Sequence, residues 1–370
     1  MYKDQYYMKE ALQLAAKAEG YTSPNPMVGA VVVKDGRIVG CGYHQKAGTP
    51  HAEVHALKDA GVKAEGATIY VTLEPCCHYG RTPPCTEAIK NAGVNRVVVA
   101  ITDPNPLVAG KGLNVLKEAG IEVTSGVLAS EATKLNEVFI KYITTKMPFV
   151  VLKAAVSLDG KIATVGGESQ WITGPESRLY AHRLRHKYDG ILVGINTILD
   201  DDPSLTTRLP EGDGVDPVRI VLDSKCRTPV NAKIINQSSK AKTIIAVTEA
   251  ADKNKITALK KAGVEVLVIN DQEGMVNLDQ LLRRLGEMQI TSLLVEGGSG
   301  VHGSFLTAGV IDKVYWFIAP MLIGGRDAPG AVAGSGIKEL TAAVRLNQPR
   351  VNRFGADICI EGNIDQGGGA

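Results

Sequence analysis

The sequence predicts an α/β protein built as two layered sheet domains, and three observations carry that prediction. Short β-branched runs alternate with helical periodicity along most of the chain. The alternation breaks at Lys146-Met147-Pro148, and 370 residues are enough for two cores. Met8, Leu12, Ala15 and Ala18 recur at helical spacing, and the run Val28-Gly29-Ala30-Val31-Val32-Val33 then turns at Asp35-Gly36 into Ile38-Val39, a hairpin signal. Residues 51–60 read as helix and 67–73 as strand, and Pro83-Pro84 opens a helix reaching 91, because proline suits a first helical turn. Strand 95–102, helix 110–119 and strand 121–124 follow, and one helix over 130–144 runs up to the proline that stops it. The first domain is therefore set at 1–146.

The second domain, 147–363, opens with the strand Phe149-Val150-Val151-Leu152-Lys153. Further strands are expected at 190–193, 218–223, 243–247, 264–269, 292–295 and 314–318, with helices between several of them. Residues 210–214 and 237–239 read as loops, and 364–370 as a flexible tail. No internal repeat is visible.

Composition narrows the function. Lys plus Arg total 41 against 39 Asp plus Glu, giving +2, with 44% hydrophobic residues. So balanced a charge gives no field for holding nucleic acid or an anionic bilayer, which points to a small-molecule ligand. No apolar run approaches the ~20 residues of a membrane span, and Met1-Tyr2-Lys3-Asp4-Gln5 lacks the apolar core of a signal peptide, so the expected location is cytoplasmic. Self-association into a homo-oligomer is left open. Six cysteines are too sparse for a disulfide scaffold. Cys76, Cys77 and Cys85 crowd together, which in a reducing compartment points to metal or catalysis. Cys41, Cys226 and Cys359 are expected to be small buried hydrophobes.

His51, Cys76 and Cys85 supply one imidazole and two thiolates, donors suited to Zn²⁺. Only three ligands are evident. A structural site closes its tetrahedron with four protein ligands, whereas a catalytic one keeps a position for water and lowers that water's pKa to roughly 7. Glu53, two residues past His51, is placed to carry protons between that water and a substrate nitrogen, which is hydrolytic deamination. His51 and His55 share the i, i+4 spacing of helical metalloproteases, but there a glutamate directly follows the first histidine, and here Ala52 intervenes. A structural zinc completed by Cys77 or His78 is the other competitor; adjacent residues seldom both reach one tetrahedral ion.

These residues resemble the cytidine-deaminase-like zinc family. The longer stretch Thr72-Leu73-Glu74-Pro75-Cys76-Cys77-His78-Tyr79-Gly80-Arg81-Thr82-Pro83-Pro84-Cys85 is similar to the deaminase half of the bifunctional riboflavin biosynthesis deaminase-reductases. Nucleic-acid deaminases have two residues between the cysteines, and here there are eight. Ser23-Pro24-Asn25-Pro26-Met27-Val28-Gly29 and Asp103-Pro104-Asn105-Pro106 share the likeness, which runs from about residue 6 to about 361. The resemblance implies a cytidine-deaminase-like first domain acting on 2,5-diamino-6-ribosylamino-4(3H)-pyrimidinone 5′-phosphate, whose 2-amino group is replaced by oxygen. Asn25 and His44 can hydrogen-bond its ring, Asp103 and Asn105 its ribose or exocyclic groups, and His78 and Arg81 its phosphate. On residue chemistry alone Asn-Pro and Asp-Pro are also common turn starters, and His44 a satisfied strand-end residue.

In the second domain Leu293-Leu294-Val295-Glu296-Gly297-Gly298-Ser299-Gly300-Val301-His302-Gly303 reads as a strand, a glycine-rich turn and a helix start. Free N–H groups there can hold a phosphate, although the spacing is not the dinucleotide fingerprint of doubly wound folds. Leu152 to Lys161, Ser169-Gln170-Trp171-Ile172-Thr173 and Gly194 to Pro203 resemble the reductase half of the same family. That resemblance implies a dihydrofolate-reductase-like fold using NADPH to reduce the ribosyl group to ribityl. By motif, Ala155, Trp171, Thr197, Asp201 and the turn Gly298, Ser299, Gly300, Val301, His302, Gly303 and Ser304 would line the cofactor. Ser169, Arg185, Leu205, Arg208 and Glu296 would line the substrate, the two arginines taking its phosphate, while Lys153 and Asp201 orient the sugar and move protons. Without the resemblance, Trp171 reads as core, Arg185 as part of a solvated helix face, and Asp200-Asp201-Asp202 as a helix-ending acidic turn.

Overall fold

The computed structural model describes residues 2–79, 83–105, 108–212 and 214–365. The chain divides into two compact units, Met1–Lys146 and Met147–Ala370. The first contains α1 (Tyr2–Ala16), β1 (Gly29–Lys34), β2 (Arg37–Tyr43), α2 (Ala52–Ala60), β3 (Thr68–Leu73), α3 (Cys85–Asn91), β4 (Arg96–Ile101), α4 (Lys111–Glu118), β5 (Glu122–Ser125), α5 (Ala129–Leu135) and α6 (Glu137–Thr145). Its sheet has the order β2-β1-β3-β4-β5. β1 is antiparallel to β2 and β3, and β3, β4 and β5 run parallel. Asp35 and Gly36 close the β1–β2 hairpin with φ of 51° and 73°, the left-handed pair that a tight hairpin turn needs.

Both faces of this sheet are covered, so its central strands β1, β3 and β4 are buried on both sides. Ala30 and Val32 face α2, α3 and α4 together with Ile69, Val71, Val97 and Val99. Val31 and Val33 face α1 and α5 with Tyr70, Val98 and Ala100. Glycines bring α2 close. A Cβ on Gly42 would lie 2.5 Å from the His55 Cβ and 2.6 Å from the Ala56 nitrogen, and one on Gly40 would lie 2.3 Å from the Ala56 carbonyl oxygen. α2 can rest on β2 only because these positions carry no side chain.

The single helix expected over 130–144 is two helices, α5 and α6, divided at Asn136. That side chain is buried and spent elsewhere: it accepts from the Met27 N–H at 2.8 Å and donates to the Met27 carbonyl at 3.0 Å, pinning the loop that carries Asn25. Cys226 and Cys359 are buried, but Cys41, expected inside, is exposed on edge strand β2.

The second unit contains β6 (Phe149–Ser157), α7 (Pro175–Lys187), β7 (Gly190–Gly194), α8 (Ile195–Asp201), β8 (Val218–Leu222), β9 (Thr243–Val247), α9 (Lys253–Lys261), β10 (Glu265–Val268) and the small pair β11 (Asp271–Gln272) and β12 (Met275–Val276). α10 (Leu278–Glu287), β13 (Ser292–Val295), α11 (Ser299–Thr307), β14 (Lys313–Ala319), β15 (Leu346–Phe354) and β16 (Asp357–Ile364) complete it. Nine strands form one sheet, β10-β9-β8-β7-β13-β6-β14-β16-β15, parallel from β10 to β14 and antiparallel in the last two pairs. α10 packs Leu278, Leu281, Leu282 and Leu285 on one face, and α8 and α9 cover the other with Ile195, Ile198 and Leu259.

The closing hairpin β15–β16 was not expected from the sequence. β15 is largely exposed and carries Asn347, Gln348, Pro349 and Arg350, so no apolar alternation marks it, and proline is tolerated because this is an edge strand. Of the tail expected over 364–370, Ile364 instead ends β16 and the Asp365 N–H donates to the Arg345 carbonyl at 2.9 Å; residues 366–370 lie outside the described residues. β16 also anchors the cavity described below. Its buried Asp357 accepts from the Gly174 N–H at 2.7 Å and from Ser177 Oγ at 2.6 Å, fixing the start of α7.

Gly42→Ala should displace α2 and lower the stability of the first unit by about 1–3 kcal/mol, the usual cost of overpacking, with loss of retained zinc. A urea melt and metal content of the purified variant check this; an unaltered midpoint would contradict the packing argument.

Candidate metal centre and second-unit cavity

His51 occupies the residue before α2, with extended backbone, while Glu53 lies in the first turn. Cys76 follows β3 by three residues and Cys85 opens α3. His51 Nδ1 lies 3.2 Å from Cys85 Sγ and 3.6 Å from Cys76 Sγ, and the three donor atoms fall within 4.8 Å of one another. Tetrahedral zinc with ordinary bond lengths separates N and S ligands by about 3.5 Å, so the donor set fits the ion. No fourth His, Cys, Asp or Glu joins the group among the described residues, and Cys77 and His78 are not in it.

Electrostatics support the same fit. The Cys85 N–H donates to Cys76 Sγ at 3.3 Å. Hydrogen bonding from Cys85 lowers the Cys76 thiol despite burial, with His51 adding to the effect, while Cys85 itself is pushed up by that bond, by burial and by Glu53. Glu53, only 3% exposed, has its pKa raised to about 7 by burial.

The other expected residues of the first unit gather here in part. His44 lies edge-on to His51 with ring centroids 5.4 Å apart, the Asn25 amide contacts its Nε2 at 3.1 Å, and its Nδ1 reaches the Pro50 carbonyl at 3.2 Å. A ring that donates from Nδ1 to that carbonyl accepts from Asn25 at Nε2, which makes it the neutral tautomer; burial lowers its pKa accordingly. Asp103 accepts from the Asn105 N–H at 2.9 Å, an Asx turn, and burial raises its pKa. His78 is exposed, and Arg81 lies outside the described residues. Sequence reasoning missed Glu74. This buried carboxylate accepts from four backbone N–H groups, those of Asp103, Gly110, Gly112 and Leu113, at 2.8–3.2 Å, and so ties the metal loop to the Asp103 turn and to α4. A glutamate between a strand and a proline was the only signal available.

In the second unit a cavity of about 590 Å³ is lined by residues of β6, α7, α8, β14 and the loops between. Of the residues expected around the cofactor and substrate, Lys153, Ala155, Ser169, Trp171, Arg185, Thr197, Asp201, Leu205, Arg208 and Glu296 all line it. Glu296 is its electrostatic pivot. Arg185 grips the carboxylate through Nε at 2.9 Å and Nη2 at 2.8 Å, and Lys153 Nζ lies 3.8 Å away. Burial would raise the Glu296 carboxyl, but Arg185 and Lys153 hold it at about 2. Arg185 is therefore not on a solvated face, and most of its fork is occupied.

Trp171 is 65% exposed rather than core, and the Arg178 guanidinium stacks over it at 4.6 Å. Asp201 ends α8, and burial together with Asp200 raises its pKa. Residues 298–304 do not line this cavity. They form the start of α11, where Gly298 and Gly300 face open space, Gly303 meets the Ala333 carbonyl where a Cβ would come within 2.0 Å, and buried His302 lies 3.0 Å from the Ala331 carbonyl. His182 and Phe317 are lining residues that the sequence did not single out.

Comparison with known proteins agrees with both halves. A family model for the cytidine and deoxycytidylate deaminase zinc-binding region matches residues 1–101, and one for the RibD C-terminal domain matches 148–360. The chain is 46% identical to the riboflavin biosynthesis protein RibD of Actinobacillus pleuropneumoniae, over 96% of this chain and 94% of that protein. It is 45% identical to RibD of Escherichia coli K12, over 97% and 98%. Among solved structures, Acinetobacter baumannii RibD superposes with a TM-score of 0.89 at 41% identity, covering 98% of this chain and 99% of that one. The Thermotoga maritima diaminohydroxyphosphoribosylaminopyrimidine deaminase/5-amino-6-(5-phosphoribosylamino)uracil reductase gives 0.86 at 38%, with the same coverage. No helix among the described residues is long and apolar enough to cross a membrane. With a deaminase-type donor set in one unit, a charged cavity in the other and likeness along nearly the whole length, the chain belongs to the RibD family of bifunctional riboflavin biosynthesis deaminase-reductases.

Proposed function

We propose that residues 1–146 catalyse hydrolytic deamination of 2,5-diamino-6-ribosylamino-4(3H)-pyrimidinone 5′-phosphate and residues 147–363 the NADPH-dependent reduction of its ribosyl group to ribityl. The observation that carries the reading is the His51, Cys76, Cys85 cluster beside the buried Glu53 carboxyl. Zinc held by those three residues would supply an acidified water molecule. Glu53 takes a proton at its carboxylate and returns one to the departing amino nitrogen, so water is added and ammonia released. Asn25 and His44 orient the pyrimidine, with Asp103 and Asn105 toward its ribose or exocyclic groups and His78 and Arg81 toward its phosphate.

NADPH bound in the second unit would supply the hydride that reduces C1′ of the opened ribose. Ala155, Trp171, Thr197, Asp201 and the 298–304 turn are assigned to the cofactor, and Ser169, Leu205, Arg208 and Glu296 to the substrate. Lys153 and Asp201 orient the sugar and handle the proton. Because Arg185 is engaged by Glu296, it contributes mainly by holding that carboxylate charged, and the phosphate falls to Arg208. The alternative, a nucleoside or tRNA deaminase with a non-catalytic second domain, leaves the ionised Glu296, Arg185 and Lys153 group in an open cavity without a purpose.

Glu53→Gln should retain zinc and abolish ammonia release while reduction of supplied deaminated substrate persists; loss of both activities in a folded variant would contradict separate sites. Asp201→Asn should impair NADPH oxidation alone, and an equal fall in ammonia release would refute its assignment. Glu296→Gln leaves Arg185 buried without its partner and should cost about 3–5 kcal/mol near neutral pH. A depressed carboxyl stabilises fully above its ordinary 4.5 and loses that contribution as pH falls through about 2. The gap between wild type and Glu296→Gln in denaturant melts should therefore close across that window, and a gap independent of pH would contradict the ion pair.

A further inference from the structure

Five cationic side chains line the second-unit cavity: Lys153, Arg178, Arg185, Arg208 and Lys233. Four of them have oxygen partners. Lys153 and Arg185 meet Glu296, Lys233 lies 3.8 Å from Asp202 Oδ2, and Arg178 donates to the Thr173 carbonyl at 2.7 Å. Arg208 differs. Its Nη2 points at Nε2 of His182, 3.3 Å away, and no carboxylate pairs with it among the described residues.

An arginine keeps its protons, so His182 is the acceptor at Nε2 and carries its own hydrogen on the buried Nδ1, on the side of the Thr206 backbone. Burial and the charges of Arg185 and Arg208 lower the His182 pKa to about 4, so the ring stays neutral. His182 lies one turn before Arg185 on α7, whose start Asp357 fixes, so the acceptor sits on a rigid element. A neutral acceptor has a consequence that a carboxylate would not have. It fixes the direction of the guanidinium without neutralising it, and Arg208 keeps its full charge for an incoming anion.

We propose that His182 is a positioning residue of the reductase, a neutral hydrogen-bond acceptor that aims the Arg208 guanidinium at the phosphate of the substrate. The inference rests on the reading above that the substrate is a ribosyl phosphate. Three variants separate orientation from packing. Glutamine retains an acceptor oxygen, leucine removes it, and glutamate supplies a carboxylate that competes with the phosphate.

The test is steady-state NADPH oxidation by the full zinc-loaded chain, with the deaminated phosphorylated substrate and with its dephosphorylated riboside. His182→Leu should raise KM for the phosphorylated substrate about tenfold with kcat within twofold, His182→Glu should raise it at least as much, and His182→Gln should restore the low KM. In an Arg208→Ala background, His182→Leu should add nothing further. Should the leucine variant fail to fold, the glutamine and glutamate pair decides by the same contrast. An unchanged KM in His182→Leu, no rescue by glutamine, or an undiminished effect in the Arg208→Ala background overturns the proposal while phosphate dependence of the wild type stands. Equal use of the riboside and the phosphate ester by the wild type overturns the underlying reading, and the proposal with it.

Discussion

Each unit buries a glutamate carboxyl, and what compensates that charge sets the chemistry of the unit. In the second, the chain supplies the compensation: Arg185 and Lys153 close on Glu296 and keep it ionised at the edge of an open cavity. In the first, Glu53 is buried beside two thiols and an imidazole, with no cationic Lys or Arg among the groups that shift its pKa. Two thiolates and a carboxylate cannot all remain charged in low dielectric without a cation. The donor set therefore calls for a divalent ion, and the site is completed by something the chain does not encode.

The framework around both sites converts distant contacts into fixed geometry. Gly40 and Gly42 bring α2, which carries Glu53 and follows His51, against β2, and Glu74 gathers four N–H groups that hold the start of the cysteine loop. Asp357 does the equivalent for α7. None of these groups touches a reacting atom on this account, yet each decides where one will stand.

The metal site was legible in the sequence because its signal is local and chemically rare: a His-x-Glu and two cysteines separated by a short loop. Most parallel strands were legible for a similar reason, as buried apolar runs bounded by turn residues. What escaped depends on partners far along the chain. Asn136 splits a helix because Met27 is within reach, Arg185 leaves the solvated face because Glu296 lies opposite, and β15 carries no apolar pattern because it is an exposed edge. The glycine-rich turn was visible as a motif, but its close approach to Ala333 was not, since that contact spans some thirty residues. His182 has no sequence signature. Its place in the cavity wall and its distance to Arg208 separate it from Arg183 and His186 on the same helix.

X-ray absorption at the zinc edge of freshly purified protein tests most directly whether three side chains and no more hold the ion. The expected shell is two sulfur ligands at about 2.3 Å, one imidazole nitrogen and one further light atom exchangeable with solvent. Three or four sulfur ligands, or active protein without zinc, would contradict it.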